Sequence, residues 1–207
     1  MPAKLIQYWN VRHGCHDDFG RFLTRRFIPR INETGLMQIV ASWHTASGEG
    51  PYFVVEGMSA SLENVETLVM GPVFAGLRQE LSSMVSDYFN KLLVPKNFTE
   101  ADPIDIEQGY KFTQHFNINA ADIYAFDSFF RDTYVPQIRE WGIDLVGEWN
   151  VAVGATPYVV IETRAKAIDT LGDLLVNPGY LRLTRDLLNM VSGYGCKILV
   201  PSGHLNT

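Results

Sequence analysis

The chain has 207 residues, a length for one large domain or two small ones. Its 46% apolar and 19% charged residues exclude a disordered chain, a collagen and a coiled coil, and no apolar run is long enough to span a bilayer. Asp and Glu (23) outnumber Lys and Arg (17), so the net charge of −6 disfavours a nucleic-acid partner.

The opening residues, Met1 to Trp9, carry no secretory pattern, which points to a cytoplasmic protein. Residues 5 to 12 are rich in aromatic and branched side chains and read as a strand. His13-Gly14-Cys15-His16-Asp17 reads as a turn, with Asp17 or Asp18 capping the next helix. Cys15 and Cys196 lack a Cys-x-x-Cys partner, so they read as two reduced thiols and no structural zinc site. Phe19, Phe22, Leu23, Phe27 and Ile31 recur at helical steps, and Pro29 should bend or shorten that helix. Arg21, Arg25, Arg26 and Arg30 form its solvated face. Leu36 to His44 and Tyr52 to Gly57 read as strands flanking a glycine-bearing hairpin turn. A second helical region runs from Leu62 towards Phe89, interrupted at Gly71-Pro72, before a short strand at Lys91 to Val94.

The same order then recurs. MVSDYFNKLLVP at 84 to 95 aligns with MVSGYGCKILVP at 190 to 201, with eight of twelve positions identical at an offset of 106. That offset also pairs Trp43 with Trp149, Tyr52 with Tyr158 and Glu56 with Glu162. Upstream, an offset of 107 pairs Gln7 with Gln114, Pro29 with Pro136 and Gly35 with Gly142. The chain therefore divides into repeats over 1–95 and 111–207, joined by an acidic linker over 96–110.

Each repeat reads strand, helix, strand, strand, helix, strand, a ferredoxin-like βαββαβ unit of the α+β class. Its helices cover one sheet face and leave the other bare. At ~25 cal/mol per Å², exposing such a face would cost many kcal/mol. Packing the two repeats sheet to sheet buries both faces and predicts an intrachain barrel with a lumen.

The chain resembles the dimeric α/β-barrel superfamily and, within it, the NIPSNAP family. The likeness rests on the Gly14 turn, Pro29 and Gly35, Trp43 followed by Gly48, Asn177-Pro178-Gly179-Tyr180, and the closing Lys197-Ile198-Leu199-Val200-Pro201. It departs from the family where Asn177 replaces an acid and Tyr180 a Trp, and where Leu5, Gln7 and Trp9 replace a Glu, Arg and Tyr face. The family implies this fold and no agreed reaction. The wider superfamily includes cofactor-free monooxygenases, polyketide cyclases, lactone isomerases and haem proteins.

The lumen is the natural ligand site. Alternation along the third strands turns Tyr52, Glu56, Tyr158 and Glu162 towards it, as candidate catalytic groups for cofactor-free acid/base or oxygenation chemistry. Gln7, Trp9, Trp43, His44, Gln114, Phe116 and Trp149 are the candidate ligand-binding residues, and the parity of Gln114 and Phe116 turns His115 to the helices. No metal-ligand spacing, phosphate loop or nucleophile elbow occurs, so neither a metal nor a cofactor is expected. The expected partner is a small apolar or ring-containing molecule, with room for a further homo-oligomer. Two alternatives stand beside this reading: a non-catalytic module whose barrel is filled by side chains, and a haem protein ligated through His115.

Overall fold

The computed structural model describes residues 1–99 and 109–204, without the side chains of 97–99. The first half runs β1 (Ala3–Val11), α1 (His16–Phe22), a π-helical turn (Leu23–Phe27), α2 (Ile28–Asn32), β2 (Gln38–Gly48), β3 (Phe53–Ser59), α3 (Leu62–Met70), α4 (Pro72–Met84) and β4 (Val85–Thr99). The second runs β5 (Tyr110–Ile118), a 3-10 turn (Ala120–Asp122), α5 (Ile123–Phe129), a second π-helical turn (Phe130–Tyr134), α6 (Val135–Glu140), β6 (Asp144–Val153), β7 (Val159–Ala165), α7 (Ile168–Val176), α8 (Pro178–Met190) and β8 (Val191–Pro201).

The strands close into one barrel in the order β1-β3-β2-β8-β5-β7-β6-β4, with antiparallel pairing throughout. Two ferredoxin-like sheets are joined at the β2–β8 and β4–β6 seams, which leaves neither sheet with a free edge. Two apolar layers lie between barrel and helices, one around Trp9, Phe27 and Phe53, the other around Phe116, Tyr134 and Ile161. A third cluster, including Ile6, Trp43, Val54, Leu93, Trp149, Val160 and Leu199, fills the inside of the barrel.

Local chemistry explains the breaks. Pro29 and Pro136 each stand one residue past a π turn; each lacks the N–H that an α-helical ladder needs, and the wider turn absorbs the gap. Gly71 and Asn177 precede prolines and are extended, with ψ 157° and 122°, which separates α3 from α4 and α7 from α8. The Asn177 side chain accepts hydrogen bonds from the Gly179 and Tyr180 amides at 2.7 and 3.3 Å, so it caps α8.

Several expectations are corrected. The helix ahead of the first proline starts at His16 with Cys15 at its cap position, and Asp17 and Asp18 lie in its first turn. The second helical region ends at Met84, and the strand that follows begins at Val85, well before Lys91. Asp87 (φ 55°) and its counterpart Gly193 (φ 62°) each form a bulge that bends this long strand around the barrel. Asn10 donates to the Asp87 carboxylate at 2.9 Å, which steadies a backbone conformation that suits glycine better. Of the expected linker, 96–99 continue β4, 109 precedes β5, Tyr110 opens it, and 100–108 lie outside the described residues. The arginine face is solvated, with Arg26 bonded to Glu80 at 2.7 Å and Arg21 to Asp18. No helix among the described residues is long and apolar enough to cross a membrane.

Candidate functional site

The lumen is lined by strand residues of one parity. On β3 and β7 these are Val54, Glu56, Val160 and Glu162, as the alternation predicts. On β1 and β5 the parity is the reverse of the expected one: Lys4, Ile6, Tyr8, Lys111, Thr113 and His115 face inwards. Gln7, Trp9, Gln114 and Phe116 therefore leave the candidate lumen set and point into the helix layers. Trp9 packs on Phe53 at 5.6 Å and against Phe19 and Phe27 at about 6 Å between centroids, a volume that the helix layer accommodates. Gln7 accepts a hydrogen bond from the Tyr88 hydroxyl at 3.0 Å. Gln114 accepts from Tyr134 at 2.5 Å and donates to Tyr194 at 2.8 Å. His44 also turns outwards, half-buried between Tyr52, Phe53 and His204, where burial and then His204 lower its basicity.

At the barrel centre four charged side chains meet. Lys4 Nζ lies 2.6 Å from Glu162 Oε2 and 3.1 Å from Glu56 Oε2. Lys111 Nζ lies 2.6 Å from Glu56 Oε1 and 3.0 Å from Glu162 Oε1. Each carboxylate thus holds an ammonium from its own half and one from the other. Trp149 Nε1 donates to Glu162 at 2.8 Å, Lys4 lies over the Trp149 ring at 4.9 Å, and Lys111 lies over Trp43 at 5.2 Å. Burial alone would raise the Glu162 carboxyl, but Lys111 and Lys4 override it and hold the group at about 2. Burial likewise pulls the Lys4 ammonium down, and Glu162 with Glu56 outweighs it and keeps the group above its usual range. An ionised carboxylate gripped by two ammonium groups has no proton to give near neutrality, so the quartet does not suit Glu162 to general-acid work.

A second polar cluster lies nearer the barrel mouth, beneath the β2–β3 and β6–β7 hairpins. Tyr52 and Tyr158 immediately precede β3 and β7 and are 54% exposed, outside the lumen. Inside are Lys91 and Lys197, both 9% exposed, and neither pairs with a carboxylate among the described residues. Lys91 donates a long hydrogen bond to the Pro157 carbonyl at 3.4 Å, and Lys197 lies over the Tyr8 ring at 4.9 Å. Burial and then Lys91 outweigh the pull of Glu49 and bring the Lys197 ammonium down to about 8. Burial followed by Lys91 and Lys197 takes the His115 imidazole down to about 4, so it is neutral. Thr113, opposite Lys197 in the β5–β8 ladder, is buried, and its hydroxyl has no hydrogen-bond partner.

The two walls of this mouth differ. In the first half Tyr8 stacks on Phe89 at 4.5 Å, above Ile6. The counterparts are His115, Gly195 and Thr113. Gly195 carries no ring, and the imidazole lies against it: a Cβ there would come within 2.4 Å of His115 Nε2. That nitrogen packs on the strand rather than projecting into open lumen, which does not suit it to bind a haem iron. Among the described residues no group of three or more His, Cys, Asp or Glu is placed to hold a metal ion.

An open pocket of about 500 Å³ lies outside the barrel, between α5, α6 and β6. It is lined by Phe130, Val135, Pro136 and Leu145, with Asp127 and Glu148 among its polar groups. Lys96 bridges Glu148 and Asp127 at 2.7 and 2.6 Å.

Trp43, Trp149, Glu56 and Glu162 lie in the lumen where strand alternation puts them, whereas Lys4, Lys91, Lys111, Lys197 and Thr113 join them unannounced by it. A signal for the lysines existed. Four of the six lysines fall at the matched offsets of 107 and 106, Lys4 with Lys111 and Lys91 with Lys197, each on a strand beside apolar neighbours. A charge at the same interior strand position in both halves marks a buried ion site.

Solved structures with the same architecture include a proposed monooxygenase from Lactobacillus acidophilus, with a TM-score of 0.63 and 11% identity over 96% of this chain and 93% of that one. A second proposed monooxygenase, from Fusobacterium nucleatum, has a TM-score of 0.63 at 10% identity over 97% and 92% of the two chains. A variant of chlorite dismutase from Candidatus Nitrospira defluvii has a TM-score of 0.62 at 9% identity, also over 97% and 92%. No protein-family profile and no curated protein sequence matches the chain. At such identities the likeness speaks for architecture alone. With both sheets closed into one ring, this chain has an α+β fold of the dimeric α/β-barrel type, built within a single polypeptide.

Proposed function

We propose that the barrel binds a small, ring-containing anion at its lysine-lined mouth. The observation that carries this reading is the pair Lys91 and Lys197: two largely buried cations without a carboxylate in contact among the described residues, Glu49 acting on Lys197 only from a distance. Unpaired buried charge is costly, and an anionic ligand relieves the cost. The orphaned Thr113 hydroxyl supplies a donor or acceptor for the same ligand. The stacked rings of Tyr8 and Phe89 give one wall an aromatic face, which favours an aromatic or alicyclic body. Proton transfer falls to the Lys197 amine rather than to Glu56 and Glu162. The two halves are read as the products of duplication, because the charged pairs of the lumen recur at fixed offsets.

Thermal-shift and calorimetric titration with benzoate and 4-hydroxybenzoate, against benzamide and benzylamine, test the proposal. The acids should raise the melting temperature, and Lys91→Met with Lys197→Met should abolish the shift. Equal stabilisation by benzylamine would overturn it.

A second reading, a NIPSNAP-like interaction module without a ligand, is favoured by the ion quartet and two tryptophans that occupy the barrel centre. It predicts no shift with any member of the series.

A further inference from the structure

We propose that Lys197 is a carbonyl-trapping residue whose side-chain amine condenses with an aldehyde or ketone on a ring-containing ligand at the mouth. The proposal rests on the reading of the mouth as a ligand site and adds the class of reacting group.

Five of the six lysines lie on barrel strands, and their surroundings separate them. Lys4 and Lys111 are locked into the quartet. Lys96 is held by Glu148 and Asp127, and Lys91 donates to the Pro157 carbonyl. The Lys197 ammonium touches the face of Tyr8 and lies against Gly50, where a Cβ would come within 2.9 Å of Nζ. None of these neighbours ties up a nitrogen lone pair once the amine is neutral. Thr113 sits directly across the ladder with an unpartnered hydroxyl, suited to bond the oxygen of a carbonyl or carbinolamine. His115, paired with Gly195 two residues earlier on β8, is a neutral imidazole and adds no further positive charge beside the amine.

The step balances without a further reagent. The Nζ lone pair attacks the carbonyl carbon, a C–N bond forms, and the carbonyl π electrons move to oxygen. A proton passes from nitrogen to that oxygen and gives a carbinolamine. Loss of the hydroxyl with one more proton releases water and leaves the C=N bond of an imine. The amine must first be neutral. A group that titrates at about 8 instead of 10.5 carries roughly 300-fold more free amine at neutral pH.

The test uses the whole protein at neutral pH with 4-formylbenzoate and sodium cyanoborohydride, followed by peptide mapping. Lys166, exposed on the surface, is the internal control for unassisted labelling. We expect a reduced benzyl adduct on Lys197 well ahead of Lys166, with complete loss in Lys197→Met. Lys197→Arg keeps the charge and serves if the methionine variant fails to fold; it too should lose the adduct. Labelling of Lys166 or the N-terminus at an equal or greater rate overturns the proposal, as does an adduct on Lys91 in place of Lys197. Unreactive benzoate, titrated in parallel, separates the two claims. Binding of benzoate without an adduct at Lys197 removes the imine and leaves the anion site standing.

Discussion

Lys4 on β1 and Glu162 on β7 come from opposite halves of the chain, 158 residues apart, and meet at 2.6 Å in the barrel centre. With the Lys111–Glu56 contact this bond crosses the lumen twice. The sheets are therefore joined through their interior as well as along their seams. A buried quartet of this kind is fragile to the loss of one member, because the remaining charges stay desolvated.

Lys4→Met should therefore cost about 3–5 kcal/mol of stability, the scale of breaking a buried pair from one side. Urea unfolding measures it. The combined change Lys4→Met with Glu162→Gln should cost less than Lys4→Met alone, because the quartet returns to one cation and one anion. A single variant as stable as the parent would show that the quartet is not electrostatically closed.

The quartet also sets an acid limit. Glu162 titrates near 2 in the fold against an ordinary value of 4.5. The unfolded chain binds the proton first, so the contribution is complete above about 4.5 and is lost as pH falls towards 2. Denaturant midpoints should fall across that window, and fall less steeply in Glu162→Gln.

Lys197 has the opposite sign. Its folded value of about 8 lies below the ordinary 10.5, so the unfolded chain holds more protons between the two. The fold gains stability from this group as pH rises from about 8 towards 10.5. Comparison of the parent with Lys197→Met over that range isolates the effect. The stability difference should shift towards the parent with rising pH, and a constant difference would contradict the burial argument.

The mouth can be made symmetrical. Gly195→Phe alone drives a Cβ into the His115 ring and should destabilise the barrel. Gly195→Phe with His115→Tyr copies the Tyr8–Phe89 stack and should recover most of that loss. The double variant should respond less to benzoate in the thermal-shift titration, since the larger pair of rings narrows the mouth beside Lys91 and Lys197.

The two buried glutamines give a paired test of polar satisfaction. Gln114 bonds to tyrosines through both its oxygen and its nitrogen, whereas the Gln7 nitrogen has no partner. Gln114→Leu should cost roughly 1–3 kcal/mol by orphaning buried tyrosine hydroxyls, and Gln7→Leu should cost less, because it removes an unpartnered amide nitrogen and frees only the half-buried Tyr88 hydroxyl. Chemical denaturation of both variants checks the order.

The repeat, the order of strands and helices, and the packing of two sheets were legible in the sequence, because periodicity, prolines and matched positions are local properties. Asn177-Pro178 announced a helix break by its backbone chemistry, and Glu56 with Glu162 announced a lumen charge by strand alternation. The face that β1 and β5 turn inwards was not legible there. Leu5, Gln7 and Trp9 against Lys4, Ile6 and Tyr8 offer a mixed polar and apolar set on each side, so alternation alone does not choose. Tertiary structure chose, because the partners of Lys4 lie across the barrel on β3 and β7, and the volume for Trp9 lies beneath α1 and the π turn that follows it. The mouth of Lys91, Lys197, Thr113 and His115 exists for the same reason: its members are far apart along the chain, and closure of the two seams brings them together.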